Sequence, residues 1–252
     1  MDPTVYPEMA RLEANHWWFT GRRNILNAVI KRTLGAQHTK VAPTVLEVGA
    51  GTGGNHNLLS HYGNTSFVEM EPLARAIFKE RFPQAALYDG KLPHDLPFTA
   101  GQSFDLICLF DVLEHIEDDK AALVSLKPLL APNGHLILTV PAYQFLFGAH
   151  DRLHHHHRRY SRAGLSALLR ASGFKIKRLS YINMLLLPAA LAARGIDKLC
   201  KREKSSGTNM PAPWLNKLLS GLFGAEAALV PSFNLPCGLS LLVVASCTEE
   251  TG

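Results

Sequence analysis

The run Val45-Leu46-Glu47-Val48-Gly49-Ala50-Gly51-Thr52-Gly53-Gly54-Asn55 limits the possible folds more than any other stretch of this chain. Val45 to Val48 is a short apolar segment that reads as a buried strand. The alternating glycines after it let the backbone turn sharply, take positive φ and pass close to a ligand with no side chain in between. A strand that leads through a glycine turn into a helix opens a β-α-β unit, and such units build a parallel sheet with helices on both faces. The G-x-G-x-G spacing departs from the G-x-G-x-x-G that seats a pyrophosphate at a helix N-terminus, which counts against a nicotinamide-dependent oxidoreductase.

The alternation continues along the chain. Apolar runs place strands at 44–48, 65–69, 85–88, 104–110 and 135–141, with helices near 55–62, 72–82 and 118–130. Pro128 should end or kink the last helix, because it has no N–H to donate. Ser161 reads as the N-cap of a helix over 162–172 that Gly173 terminates. Lys175 to Tyr181 and Gly238 to Ser246 read as the sixth and seventh strands. Residues 1–40 form a helical cap in this reading, with helices at Pro7 to Asn15 and Arg22 to Leu34 flanking His16-Trp17-Trp18-Phe19. The aromatics either pack the cap on the core or, with Arg22-Arg23, close over a ligand. The remaining divisions are an α/β core at 41–183, a helical insertion at 184–237, and the last strand and tail at 238–252.

Several acids fall at strand ends. Glu71-Pro72 lies past the second strand, Asp89-Gly90 past the third, and Asp111 ends Phe104-Asp105-Leu106-Ile107-Cys108-Leu109-Phe110. Pro132-Asn133-Gly134 then feeds Leu136-Ile137-Leu138-Thr139-Val140. Taken together and in this order, over about residues 40–180, these elements resemble the class I S-adenosylmethionine (SAM)-dependent methyltransferases. The Trp17-Trp18 pair followed by arginine is similar to the N-terminal segment of the ubiquinone-pathway O-methyltransferases.

The resemblance implies a doubly wound, mostly parallel, seven-stranded Rossmann-like sheet, with strand seven antiparallel between strands five and six. It also implies SAM as cofactor, with S-adenosylhomocysteine (SAH) as product, held by Glu47, Gly49, Ala50, Gly51, Glu71, Pro72, Asp89, Gly90 and Asp111. Glu71 is preferred for the ribose diol, with Glu69 as the alternative, and Asp89 is assigned to the adenine amino group. The insertion at 184–237 is too long for a structureless loop and is expected to form much of an acceptor pocket.

Catalytic candidates are His150, Asp151 and His115. His150 leads as a base, and His115 also fits a hydrogen-bonded structural role. They belong to two segments, Asp111-Val112-Leu113-Glu114-His115 and His150-Asp151-Arg152-Leu153-His154-His155-His156-His157-Arg158-Arg159-Tyr160. Within the second, His150, Asp151, His157, Arg158 and Tyr160 would face the acceptor or brace the loop. Four consecutive histidines cannot face one point, since alternate side chains of an extended segment share a side. No metal is assigned to them.

The predicted activity is methyl transfer to an oxygen, nitrogen or carbon nucleophile of a small-molecule or lipid-like acceptor. The rival reading is a SAM-binding regulatory or scaffolding protein without transfer. With 252 residues and 47% hydrophobic content, the chain can bury one sizeable core. Its net charge of +5 permits contact with RNA, anionic lipid or an acidic substrate and selects none of them. No arginine-rich tract or nucleic-acid module is recognisable, so nucleic acid is not the expected partner. Cys108, Cys200, Cys237 and Cys247 are widely spaced, which favours a reduced, cytoplasmic setting over a disulfide framework or zinc knuckle. The N-terminal residues lack the features of a secretion signal. The apolar run from Met184 to Ala193 is broken by Pro188 and is too short to span a bilayer, which leaves peripheral membrane contact as a further partner class.

Overall fold

The computed structural model describes residues 5–35, 42–99, 101–192 and 210–247, with the side chain of His150 outside that set. Seven strands form one sheet: β1 (Thr44–Val48), β2 (Asn64–Glu69), β3 (Ala86–Asp89), β4 (Phe104–Phe110), β5 (Leu130–Pro141), β6 (Phe174–Ile182) and β7 (Ser240–Cys247). Their order is β3-β2-β1-β4-β5-β7-β6, with β7 antiparallel to both neighbours and the other pairings parallel. Strand order reverses between β1 and β4, so a crevice opens beyond their carboxyl ends. Val45, Leu46, Leu106, Ile107 and Leu109 are fully buried, as expected of central strands covered on both faces. Burying each such side chain stabilises the fold by roughly 1.5–3 kcal/mol.

The helices are α1 (Val5–Glu13), α2 (Trp17–Gly35), α3 (His56–Ser60), α4 (Pro72–Arg81), α5 (Asp119–Leu126), α6 (Ala149–Leu153), α7 (Arg162–Ala171) and α8 (Pro213–Ala225), and residues 187–192 are also helical. The Ser161 hydroxyl accepts from the Gly164 N–H at 3.0 Å, and Gly173 follows at φ +81°, so both ends of α7 fall where the sequence places them. Two boundaries differ. Pro128 ends α5 through a 3-10 turn at Lys127–Leu129, and β5 begins immediately at Leu130. Pro132-Asn133-Gly134 therefore lies within β5, at a register shift in its pairing with β4, where Asn133 takes φ +65°. The second cap helix also starts five residues earlier than expected, so that the aromatics belong to it.

The N-terminal helices and the insertion pack on one another. Trp17 meets Phe223 with ring centroids 6.3 Å apart, Thr20 and Ser220 hydroxyls pair at 2.7 Å, and the Trp17 N–H donates to Asn216 Oδ1 at 2.8 Å. Gly21 lets α8 approach closely, because a Cβ there would stand 2.7 Å from Phe223 Cδ1. The insertion is tied to the sheet by Glu226. Its buried carboxylate accepts from the N–H groups of Asn183, Met184 and Leu185 at 2.7, 2.7 and 3.1 Å, just past the end of β6. No helix among the described residues is long and apolar enough to cross a membrane. The basic stretch Lys198 to Lys204, the Ser205 to Asn209 break and Cys200 lie outside the described residues.

Candidate active site

The glycine turn after β1 is held by β2, since the N–H groups of Gly49 and Ala50 both donate to the Val68 carbonyl, at 2.8 and 3.0 Å. Gly49 has φ +78°, and a Cβ there would come 2.5 Å from Val112 Cγ2. Only glycine satisfies both the backbone conformation and the contact. The Gly51 N–H donates to Glu69 Oε2 at 2.8 Å, and the other oxygen of Glu69 accepts from the Glu71 N–H at 2.8 Å. Glu69 is thus buried at the strand end with its carboxylate on the turn. Burial raises its pKa, against the lowering effect of those backbone donors. Glu71 is the N-cap residue of α4, with Pro72 at the first helical position and no side-chain capping bond.

Across β3, Asp89 pairs with Glu69 in the parallel register, and its exposed carboxylate takes a 2.8 Å ion pair from Arg75. Gly90 is buried under the next loop, where a Cβ would stand 2.6 Å from the Asp95 carbonyl. These acids and glycines share one rim of the crevice.

The floor holds two further acids. Glu47 is buried in β1, where Asn55 donates to its Oε1 at 2.7 Å; its Oε2 has no hydrogen-bond partner among the described residues. Burial pushes its pKa up to about 8. Asp111, at φ +58°, ends β4 and forms an ion pair with Arg22, and its Oδ1 accepts from the Thr139 hydroxyl at 3.2 Å. Arg22 reaches there from α2 with its guanidinium 4.3 Å over the Trp18 ring, and its Nε is buried without a partner among the described residues. Trp17 thus packs against α8, while Trp18 lies against the guanidinium that pairs with Asp111.

The sequence did not single out Glu13. Its carboxylate accepts from the Thr52 hydroxyl and from Arg81, each at 2.7 Å, and Arg81 also donates to the Thr52 carbonyl at 2.6 Å. This network fixes α1 over the glycine turn, where Met9 Cε would stand 3.1 Å from a Cβ at Gly51. Glu13 ends a short amphipathic helix that also carries Glu8 and Arg11, and nothing local marks it as the buried one.

The catalytic candidates are distributed unevenly. Asp151 is fully buried in α6 and accepts from the Gly148 N–H at 2.7 Å, Arg159 Nε at 2.7 Å and His156 Nδ1 at 3.1 Å. Burial alone would raise its pKa, but the His156 and Arg159 contacts outweigh it and hold the carboxyl well below the ordinary range. Arg158 pairs with Asp119 at 2.8 Å, and the Tyr160 hydroxyl donates to the same carboxylate at 2.9 Å. His115 lies in a 3-10 turn beside His156, with ring centroids 4.5 Å apart, and burial and neighbouring histidines lower its pKa to about 3. His150 is in α6, and its side chain lies outside the described residues.

Comparison with known proteins agrees with this geometry. The methyltransferase domain family matches residues 18–179. The fold is shared with a chain of the complex between the Haloferax volcanii Trm112 methyltransferase activator and a methyltransferase, at TM-score 0.58 and 18% identity over 98% of this chain and 99% of that one. It is shared too with the N-methyltransferase NodS from Bradyrhizobium japonicum, solved with SAH, at TM-score 0.55 and 16% identity over 95% and 91%. Among curated proteins, the reducing polyketide synthase Preu2 of Preussia isomera is 32% identical over 108 residues, which is 38% of this chain and 4% of that protein's length. The crevice at the β1/β4 reversal, the glycine turn and its acids, and a family match over most of the chain lead to one assignment: this chain belongs to the methyltransferase domain family and has the class I SAM-dependent methyltransferase fold.

Proposed function

We propose that the chain transfers the methyl group of SAM to an oxygen, nitrogen or carbon nucleophile of a small-molecule or lipid-like acceptor, in a branch similar to the ubiquinone-pathway O-methyltransferases. The observation that carries the reading is a pair of buried atoms on the crevice floor, Glu47 Oε2 and Arg22 Nε, that have no hydrogen-bond partner among the described residues. One is an acceptor and the other a donor, and buried polar atoms of this kind call for partners. The ammonium and carboxylate of a methionyl group supply both, so the residues present fit the cofactor. The glycine turn passes that group without a side chain in the way. The ribose diol falls to Glu69, whose carboxylate already lies on the turn, with Glu71-Pro72 beside it at the start of α4. Asp89 and Gly90 border the adenine.

The sulfonium makes the methyl group electrophilic, so this chain's task is chiefly alignment and exclusion of water. Alignment contributes roughly 7–11 kcal/mol, whereas a general base adds roughly 10²–10⁴-fold. The cap and insertion, packed on each other, close the crevice and form the acceptor pocket. Asp151 braces the loop after β5 through Arg159 and His156, which leaves His150 and the neutral His115 as the candidate bases. The deciding experiment is calorimetric titration of SAM and SAH into the native chain, Glu69→Ala and Glu71→Ala. Micromolar binding lost in Glu69→Ala and largely kept in Glu71→Ala is expected. Absence of binding by the native chain would defeat the proposal, and loss only in Glu71→Ala would return the ribose to that residue.

A further inference from the structure

We propose that α8 and the turn after it dock on the surface of an anionic lipid membrane. This goes beyond methyl transfer and does not depend on it.

α8 is apolar on both of its sides, and Lys217 is its one charged residue. One side packs on α2, where Phe223 lies against Gly21 and Trp17. The other side would be polar in an ordinary surface helix. Here it carries Trp214, Leu218 and Leu222 at intervals of four, and they are 70%, 50% and 39% exposed. Leu229 and Phe233, in the turn beyond the helix, are exposed as well. Large exposed apolar side chains grouped in this way mark a surface that is covered in use.

The charge around them has one sign. Lys31 and Arg32 are exposed at the end of α2, and neither α2 nor α8 contains an acid. Arg32 donates to the Ser232 hydroxyl at 3.4 Å and Arg178 to Asn234 Oδ1 at 3.1 Å, which sets a guanidinium group on each neighbour of Phe233. Burial and then the like charge of Arg32 lower the pKa of Arg178, so the two cations are close. From the start of β6 to the end of β7, the sole acid among the described residues is the buried Glu226.

An apolar row ending in tryptophan and bordered by bases suits the headgroup boundary of a membrane. Leucines and the indole enter the acyl edge, while the stem of Lys217 lies along it and the ammonium reaches the phosphates. Two other occupants fit worse. A second copy seated on the same face would set bases against bases with no exposed acid of α2 or α8 to answer them. Residues 193–209 offer Ile196 and Leu199 as their large apolar side chains, too few to cover five, and they bring five bases against two acids.

The test is co-sedimentation of the full chain with vesicles of phosphatidylcholine, with and without phosphatidylglycerol. Binding is expected with phosphatidylglycerol and should weaken as salt is raised. Each base near an anionic surface contributes about fivefold, so Lys217→Ala/Arg32→Ala should bind about 25-fold more weakly. Trp214→Ser/Leu218→Ser should lose at least about tenfold. Both pairs are exposed, and circular dichroism verifies that the variants are folded. Brominated acyl chains should quench the native emission, whereas Trp214→Phe should still bind and lose the quenching. Equal binding to both vesicle types, or full binding by either double variant, would overturn the proposal. So would no binding by the native chain, with sedimentation velocity then showing whether a second copy occupies the face.

Discussion

Glu47 makes a quantitative demand on cofactor binding. With its pKa pushed up to about 8, the side chain is protonated in about ten molecules out of eleven at pH 7. An ammonium partner requires the carboxylate, so binding must release close to one proton at that pH. The cost of ionisation at pH 7 is about 1.4 kcal/mol, or about tenfold in affinity. By the same linkage, Kd for SAH should fall about 50-fold between pH 6 and pH 8 and level off above. Titration of SAH in two buffers of different ionisation enthalpy at pH 7 counts the protons directly. Glu47→Gln should bind more weakly, with no proton release and a flat profile over this range. Equal enthalpies in the two buffers for the native chain would refute the pairing of Glu47 with the cofactor's ammonium. In the free protein the raised pKa acts in the opposite sense. The folded state holds this proton more tightly than the unfolded state does, so stability falls as pH rises from about 4.5 towards about 8.

Other expectations follow from single contacts. Gly49→Ala should destabilise by about 2–5 kcal/mol, combining positive-φ strain with the Val112 clash, and denaturant melts of Gly49→Ala, Val112→Ala and the double variant should show coupling of at least about 1 kcal/mol; strict additivity would remove the clash from the account. Arg22→Lys keeps the charge but loses the planar group stacked on Trp18, and SAH affinity measured by calorimetry should drop about tenfold or more. Asp151→Asn should cost about 3–5 kcal/mol in urea unfolding at pH 7, because it leaves Arg159 buried beside a neutral group. The Asp151 contribution is present above the ordinary aspartate range and is lost as pH falls through its lowered value, so native chain and variant should converge in strongly acidic solution.

How much of this was legible in the sequence depended on whether a residue's role is local. The strands, the N-cap at Ser161 and the glycine turn follow from periodicity and backbone chemistry within a few residues, and they are found where the pattern puts them. The start of β5 was misread because Pro132-Asn133-Gly134 looks like a turn, whereas the strand absorbs it as an irregularity opposite β4. Of the two acids at the end of β2, the sequence pattern favours Glu71, because Pro72 follows it. Strand register separates them, by burying Glu69 against Gly51 and placing Glu71 on the helix cap. The Arg22–Asp111 pair spans 89 positions, and the Thr52–Glu13 contact 39. Neither separation has a signature in composition or spacing. The histidine run was conspicuous in the sequence, but only folding divides it into two exposed members, His155 and His157, and two that turn inward, His154 and His156.

Glu226 has a consequence for how this chain can be altered. Its carboxylate reaches back from the C-terminal side of the insertion to satisfy three consecutive backbone donors at the end of β6. Residues 184–237 are therefore not a detachable cassette. A chimera that replaced them with a shorter connection would orphan the amides of Asn183 and whatever followed it, at the end of β6. Exchange of substrate range between proteins of this architecture would have to carry the glutamate along with the helices, or supply another anion in its place.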